Sequence, residues 1–277
     1  MIIDAHVHIW RAAPDYPKPG ATIVSPYSDV PMELLSDTMA EHGVDRAVLV
    51  QPLFPGFDNS YVADCAAAEP QKYAAVCVVD TSQPDAANQL AYWVTERGCK
   101  GLRLRPNMPD EAAIFGTPQT YPVLERATAL GVVINIVAQP AHLPAVRHLL
   151  ERFPNVPVIL DHMAHPHVQE GIHAADFQAL LDLAQFPNLY IKPTGYYYFS
   201  SQRYPYADCW DFFRAVYDRY GAGRLIWGSD FPHVLLKTGY RRSLLMQERV
   251  FTYLNEQELR LMMGENAQRL YWPGAEE

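Results

Sequence analysis

Short apolar runs rich in Val, Ile and Leu recur along the whole chain, and longer amphipathic stretches separate them. The runs are too continuous for half-exposed strands of an antiparallel sheet, so they predict buried parallel strands that alternate with helices. The predicted strands span residues 1–9, 46–51, 73–80, 100–105, 132–138, 156–161, 189–192 and 225–228. This is the number of strands that a closed parallel barrel requires.

The stretches between the runs predict helices over residues 32–41, 84–97, 120–130, 141–152, 174–184 and 207–220. Several begin near a proline and end near a glycine, as at Gly43, Gly98, Gly131 and Gly221, which is typical of helix termini. No repeat or linker interrupts this order, so we expect an α/β fold with a single (β/α)8 TIM barrel over residues 1–277. A doubly wound open sheet is the alternative, because only the strand count distinguishes it.

The composition narrows the class of protein further. The 277 residues fit one barrel-sized domain or two small ones, and with 49% hydrophobic and 19% charged residues the chain has material for a large core. A net charge of −9 argues against a general affinity for nucleic acid or anionic membranes, which need clustered Lys and Arg. We therefore expect a small-molecule partner. Whether the protein is a homo-oligomer is left open.

Targeting signals and cysteine pairs are not evident. No stretch approaches the ~20 apolar residues of a membrane span, and the first residues lack the basic region and cleavage site of a secretory signal. We therefore expect a cytoplasmic enzyme. Cys65, Cys77, Cys99 and Cys209 form no C-x-x-C pair, and we expect them to be reduced and mostly buried.

Polar residues gather at the carboxyl ends of the predicted strands, which is where barrels and open α/β sheets place their sites. His6 and His8 lie two positions apart on the first strand, so their side chains point to the same face. Two imidazoles side by side in a barrel interior are costly unless a divalent cation or hydrogen bonds satisfy their nitrogens. A metal site and a pair of hydrogen-bonded core histidines are both open at this point.

Two later strand ends carry further candidates. His162 directly follows the strand at 156–161 and is the natural third ligand, whereas His165 and His167 lie in the loop beyond, where His165 is a substrate-binding candidate. Asp230 follows the strand at 225–228. A carboxylate in that position is either a helix N-cap or a reactive group, and the local sequence does not decide between these two roles for Asp230.

Taken together, these residues resemble the amidohydrolase superfamily, especially its compact branch of lactonases and related metal-dependent hydrolases. The matching motifs are the D-A-H-V-H segment that begins at Asp4 and the W-G-S-D-F-P-H segment that ends at His233, so the resemblance covers essentially the whole chain. It implies a distorted TIM barrel and one divalent metal, with zinc the first choice. Carried over to this sequence, His6, His8, His162 and Asp230 become ligands, with His162 and Asp230 also catalytic and Asp230 the general base.

The resemblance leaves two questions about the metal. Binuclear members carry a bridging carbamate on a lysine near the end of strand four, but Lys100 opens that strand here rather than closing it, so a two-metal site is not expected. Some lactonases of this branch are thought to work without metal and to use the same histidines as hydrogen-bond donors. Metal-independent catalysis therefore remains an alternative.

Substrate-binding candidates come from the other strand ends. Arg103 and Arg105 are two apart and share a face, so they predict contact with a carboxylate or carbonyl, with internal ion pairs as the alternative. The resemblance places a K-x-S/T-G segment at Lys192, and a lysine or hydroxyl there could polarise a lactone carbonyl. The aromatic run that follows, Tyr196–Phe199, could wall the pocket with rings and phenol donors, or it could form a lid loop or a subunit contact. Gln51 and Gln139 are lesser candidates.

The expected reaction is hydrolysis of a small lactone of the sugar-acid or dicarboxylate type. Asp230 would take a proton from water, and the metal or the histidine cluster would polarise the carbonyl. Non-oxidative decarboxylases of the same superfamily are the alternative, since they share the D-x-H-x-H and G-S-D-x-P motifs. A barrel that only binds a ligand would leave Asp230 and the inward histidines without a task.

Overall fold

Seven parallel strands lie side by side in chain order in one sheet. The computed structural model describes residues 1–11, 29–52 and 56–274. In these ranges the strands are β1 (Ile3–Val7), β2 (Arg46–Val50), β3 (Tyr73–Cys77), β4 (Gly101–Leu104), β5 (Val133–Ile136), β6 (Val158–Leu160) and β7 (Leu189–Ile191). Nearly every strand residue is buried, as expected for a parallel sheet covered by helices.

Helices follow most strands and pack around the sheet. They are α1 (Met32–His42), α2 (Ser60–Ala68), α3 (Ala86–Thr95), α4 (Pro109–Ala112), α5 (Tyr121–Leu130), α6 (Leu143–Arg152), α7 (Ala175–Asp182), α8 (Trp210–Tyr220), α9 (Tyr240–Arg249), α10 (Glu256–Arg260) and α11 (Asn266–Tyr271). The predicted helices at six of these positions are present, mostly shortened by a few residues. The sequence interpretation missed α2, α4 and the helices after residue 230.

The eighth predicted strand, at 225–228, is not a regular strand. The chain there is extended and makes one parallel bridge on each side, from Leu225 to Ile191 of β7 and from Phe231 to Val7 of β1. Between these bridges the backbone N–H of Trp227 donates to the carbonyl of Met262 at 2.9 Å instead of to a neighbouring strand, while its carbonyl accepts from Ala5 N–H of β1 at 3.2 Å. The segment still joins the two edges of the sheet, so the barrel is closed but distorted.

The structure also tests the expectations about the cysteines and about membrane-spanning segments. All four cysteines are free, and Cys77, Cys99 and Cys209 are buried. None of the helices in the described ranges is long and apolar enough to cross a membrane.

Candidate active site

Four of the predicted residues meet at the carboxyl ends of β1, of β6 and of residues 225–231, which close the barrel and are called the closing segment below. Oδ1 of Asp230 lies 3.3 Å from Nε2 of His8 and 3.6 Å from Nε2 of His6. The rings of His6 and His162 have their centroids 5.0 Å apart. One ligand atom each from His6, His162 and Asp230 lies within 4.8 Å of the others, and all three residues are buried. The sequence therefore located the residues that tertiary structure brings together.

The backbone fixes the orientation of His8. Its Nδ1 lies 2.7 Å from the carbonyl oxygen of Val50, so this nitrogen must carry a proton and donate it. In the neutral ring, Nε2 then has only a lone pair, and it faces the carboxylate of Asp230. Two electron-rich atoms at 3.3 Å repel each other unless a proton or a metal ion lies between them.

His162 sits on a strained turn that follows β6. Four consecutive residues from His162 to His165 have φ of 53°, 51°, 56° and 52°, in the left-handed region. This conformation costs roughly 1–2 kcal/mol per non-glycine residue, and such strain persists where the surroundings over-determine it. Here Met163 N–H donates to the carbonyl of Lys192 at 3.1 Å, which ties the turn to β7. The turn directs both His162 and His165 toward the cleft.

Gly195 leaves room for this turn. A Cβ atom at that position would lie 2.5 Å from Nδ1 of His162, and the glycine itself has a φ of +70°. The neighbouring Thr194 Oγ1 lies 3.3 Å from the same nitrogen. The Thr194–Gly195 pair therefore positions the His162 ring rather than contacting the cleft directly.

Asp230 is held from the other side by two phenols. The hydroxyls of Tyr197 and Tyr198 each donate to Oδ2 at 2.6 Å, which leaves Oδ1 for the histidines. Burial by itself would raise the pKa of Asp230, but the contact with His8 and the neighbouring His162, His233 and His6 outweigh it and hold the pKa well below its usual range. Asp230 is therefore ionised at neutral pH, and its Oδ1 is held facing the histidines.

The donor set fits a divalent metal. Nε2 of His6 is buried and has no hydrogen-bond partner, and Nε2 of His8 faces a carboxylate oxygen. Burial lowers the pKa of His6 well below its ordinary value and that of His162 to about 4, so both rings are neutral and able to ligate. Imidazole nitrogens and a carboxylate oxygen are the ligands of mononuclear zinc sites.

A layer of buried charge lies beneath these ligands. Oδ1 of Asp161 accepts a hydrogen bond from Nζ of Lys192 at 3.0 Å and lies 3.3 Å from Nδ1 of His6. Nε of Arg103 lies 3.9 Å from Oδ2 of Asp161. Burial would raise the pKa of Asp161, but Lys192, His6 and Arg103 together hold it well below the ordinary value. Asp161 is therefore an anion between two cations.

Lys192 does not occupy the position expected from the sequence. It is fully buried and lies under His6, where Nζ also contacts Asn135 Oδ1 at 3.1 Å. This placement does not fit direct contact with a substrate carbonyl. The position at the end of a predicted strand did not reveal the depth at which the side chain ends.

The ligands open into a cleft with a cavity volume of about 170 Å³. Its walls carry hydrogen-bonding side chains from the end of β4 and from several loops, namely Arg103, Asn107, Gln139, His165, Tyr198 and His233. Nδ1 of His165 donates to the carbonyl of Ala138 at 3.0 Å, so in the neutral ring Nε2 keeps a lone pair that can accept a hydrogen bond. Three predicted substrate-binding residues therefore line the cleft: Arg103, Gln139 and His165.

The two arginines of strand four have different environments. Arg103 lines the cleft, and its guanidinium donates to the carbonyl of Gln51 at 3.1 Å. Arg105 instead forms a buried ion pair with Glu111, with Nε 3.1 Å from Oε1. The prediction of substrate contact does not hold for Arg105, because β4 ends at Leu104 and the following turn brings Glu111 against the guanidinium.

Other predicted residues lie outside the cleft. Tyr196 is buried among aromatic rings, including Phe199 and Tyr206, and does not line the cleft. The side chain of Gln51 donates to the carbonyl of Asp58 at 2.8 Å and is engaged within the fold. The wall role expected of Tyr196 falls instead to Tyr198.

Sequence reasoning assigned no role to two residues of the site. Asp161 directly precedes His162, and His233 closes the W-G-S-D-F-P-H segment, with its ring centroid 5.7 Å from that of His8. His8, Asp230 and His233 form a second group of close ligand atoms. The position of Asp161 and His233 at the ends of predicted strands was the sequence feature that could have indicated a role in the site.

Comparison with known proteins agrees with this geometry. The amidohydrolase family model matches residues 3–272, nearly the whole chain. The protein belongs to the amidohydrolase family.

Individual relatives give further context. The chain is 32% identical over 235 residues to an L-fucono-1,5-lactonase of Burkholderia ambifaria, covering 83% of this chain and 80% of the relative. It is 26% identical over 234 residues to a 4-sulfomuconolactone hydrolase of Hydrogenophaga intermedia, covering 83% and 74%. A solved amidohydrolase from Burkholderia multivorans with bound zinc superimposes with a TM-score of 0.84 at 26% identity, covering 98% and 99%.

Proposed function

We propose that the protein hydrolyses a lactone. The observation that carries this proposal is the carboxylate of Asp230, buried and ionised at the floor of the cleft among three imidazoles. Such a carboxylate is suited to take a proton from an attacking water, as hydrolysis of an ester requires. Two relatives, the fuconolactonase and the sulfomuconolactone hydrolase, act on lactones, which supports the same reaction here.

One divalent ion, with zinc as the first choice, would be held by His6, His8, His162 and Asp230. When bound, the ion would polarise the lactone carbonyl and make water more acidic. The zinc found in the Burkholderia multivorans amidohydrolase supports this choice.

The chain's own residues provide the remaining chemistry. Asp230 accepts the proton of water at Oδ1, the oxygen that the phenols of Tyr197 and Tyr198 leave unoccupied. Water attacks the carbonyl carbon, the ring C–O bond breaks, and Asp230 returns the proton to the leaving oxygen. Arg103, on the cleft wall, is placed to donate a hydrogen bond to the carbonyl oxygen as it becomes negative.

The lining favours a hydroxylated sugar-acid lactone over a dicarboxylate lactone. Among the described residues that line the cleft, Arg103 is the only Lys or Arg. Its charge already faces Asp161 and the carbonyl of Gln51. The amides of Asn107 and Gln139 are neutral and suit hydroxyls, whereas two substrate carboxylates beside the ionised Asp230 would need more positive charge.

A substrate panel tests the proposal. Sugar lactones and dicarboxylate lactones would be followed with a pH indicator, before and after dialysis against a chelator and again after zinc is restored. We expect acid release from sugar lactones, loss of rate with the chelator and recovery with zinc. Release of carbon dioxide from aromatic carboxylates without any lactone opening would instead establish the decarboxylase alternative.

A further inference from the structure

Nδ1 of His6 lies between two groups that need opposite proton positions. Nζ of Lys192, which only donates hydrogen bonds, is 3.1 Å away. Oδ1 of Asp161, which as an ionised carboxylate only accepts them, is 3.3 Å away. A ring nitrogen of a neutral imidazole carries either a proton or a lone pair, so His6 satisfies only one of these partners at a time.

The hydrogen bonds of Lys192 indicate which partner prevails. An ammonium group has three N–H bonds, and Nζ has three acceptors: Asp161 Oδ1 at 3.0 Å, Asn135 Oδ1 at 3.1 Å and His6 Nδ1 at 3.1 Å. Because Lys192 is fully buried, an N–H without an acceptor would carry the full cost of desolvation. Nζ has no other acceptor among the described residues, so the third N–H depends on His6.

Asp161 depends less on His6. Its Oδ1 already accepts a charge-assisted bond from Lys192, and Arg103 lies near Oδ2. A neutral N–H from His6 would add a weaker bond than the one from an ammonium. The balance therefore favours a lone pair on Nδ1 of His6 and a proton on Nε2.

We propose that Lys192 holds His6 of the metal-free protein in the Nε2–H form and thereby opposes metal binding through Nε2, whereas Asp161 favours binding. The inference rests on the proposed role of His6 as a ligand. When a metal ion takes Nε2, that nitrogen loses its proton and Nδ1 gains one, so the ring stays neutral. The new Nδ1–H then donates to Asp161, and Lys192 loses its third acceptor.

This assignment gives the metal-free site a defined chemistry. The Nε2–H of His6 faces the ionised Oδ1 of Asp230 at 3.6 Å, beyond hydrogen-bond distance, so the carboxylate favours this proton position through charge alone. Lys192 is therefore a positioning residue that acts through His6, and it sets how strongly the site holds a metal ion.

The proton position is measured directly by NMR of the metal-free protein labelled with ¹⁵N at histidine. The His6 signals are identified as those that disappear in His6→Asn. We expect the pattern of a neutral ring with a proton on Nε2 and none on Nδ1. A neutral ring protonated on Nδ1, or a doubly protonated ring, would overturn the inference.

Zinc affinity provides the second readout, by competition with a chromophoric chelator. We expect Lys192→Met to bind zinc more tightly by about 10-fold or more, and Asp161→Asn to bind it more weakly by a similar factor, the range typical of groups that orient a ligand. Lys100→Met is the matched control, because Lys100 is exposed and precedes β4 at the opposite end of the strand, so its affinity should equal that of the wild type.

The outcomes separate this inference from the proposed function. Unchanged zinc affinity in Lys192→Met, with wild-type binding intact, would overturn the inference alone. Wild-type protein that binds no zinc but shows Nε2–H on His6 would support the His6 assignment and contradict the proposed metal centre. If Lys192→Met fails to fold because Asp161 is left unpaired, the NMR measurement still decides, since it needs no change at Lys192.

Discussion

Nε2 of His8 lies 3.3 Å from Oδ1 of Asp230, while Nδ1 of the same ring lies 2.7 Å from the carbonyl oxygen of Val50. The backbone of β2 thus fixes the ring of a residue that follows β1, and the ring in turn faces the carboxylate that ends the closing segment. Because the two tyrosines hold the other carboxylate oxygen, Asp230 has little freedom to turn. Its Oδ1 is already oriented before substrate binds.

Replacement of Asp230 by Asn should remove proton transfer and keep the side-chain size. General-base assistance contributes about 10²–10⁴-fold, so kcat on a hydrolysed lactone should fall by at least that range. The amide oxygen of the variant can still accept bonds from the phenols, and unfolding by denaturant should therefore change little. Near-normal kcat would show that Asp230 only supports the fold.

Charge discrimination among substrates should depend on Arg103. Arg103→Met removes the only Lys or Arg among the described cleft-lining residues, so KM should rise much more for carboxylate-bearing lactones than for neutral ones. Arg105→Met is the control. It removes the guanidinium that pairs with the buried Glu111 and should cost about 3–5 kcal/mol of stability without changing the preference between the two substrate types. Equal KM increases for both substrate types in Arg103→Met would point to a structural role.

Gly195 should be required for the position of His162. In Gly195→Ala the new Cβ would lie 2.5 Å from Nδ1 of His162, so the ring must move, and a displacement of about 1 Å can cost ~10²-fold in rate. Gly131→Ala has a similar φ of +67° but open space around the new methyl group. Both variants should lose some stability in a thermal melt, but only Gly195→Ala should lose kcat. A matching kcat in the two variants would contradict this.

Asp4 should make the protein less stable as pH rises. Burial raises its pKa to about 6, although Ser229 and Tyr240 donate to the carboxylate. A folded-state pKa above the unfolded value means that the native state binds the proton more tightly. The contribution of Asp4 to the free energy of unfolding therefore decreases as pH rises from about 4 to about 6. Asp4→Asn should remove this slope from the free energy of unfolding, measured with denaturant from pH 4 to pH 7.

Asp208 provides a control of opposite sign. Burial would raise its pKa, but hydrogen bonds from Ser200 and Ser201 outweigh it and lower the pKa. Its contribution to stability is therefore present above the unfolded pKa and is lost as pH falls through the folded one. Asp208→Asn should flatten the acid side of the profile, and identical profiles for both variants would contradict the assigned signs.

The sequence by itself determined the alternation of strands and helices and the places of the reactive residues. Continuous apolar runs indicate buried parallel strands, and the period of two places His6 and His8 on one face. His162 and Asp230 were located because each closely follows an apolar run, where an α/β fold places its site. These inferences depend only on the local order of apolar and polar residues. That order can be interpreted without knowing which segments lie next to one another in the folded protein.

Tertiary structure decided the partners and the depth of each side chain. Periodicity could not separate Arg103, which lines the cleft, from Arg105, which pairs with Glu111. Nor could it show that Lys192 ends beneath His6, a residue 186 positions away in the chain. The face of the sheet to which a side chain points follows from its own strand. The residues that it contacts follow from how separate strands are staggered in the barrel, and only the folded chain brings those strands together.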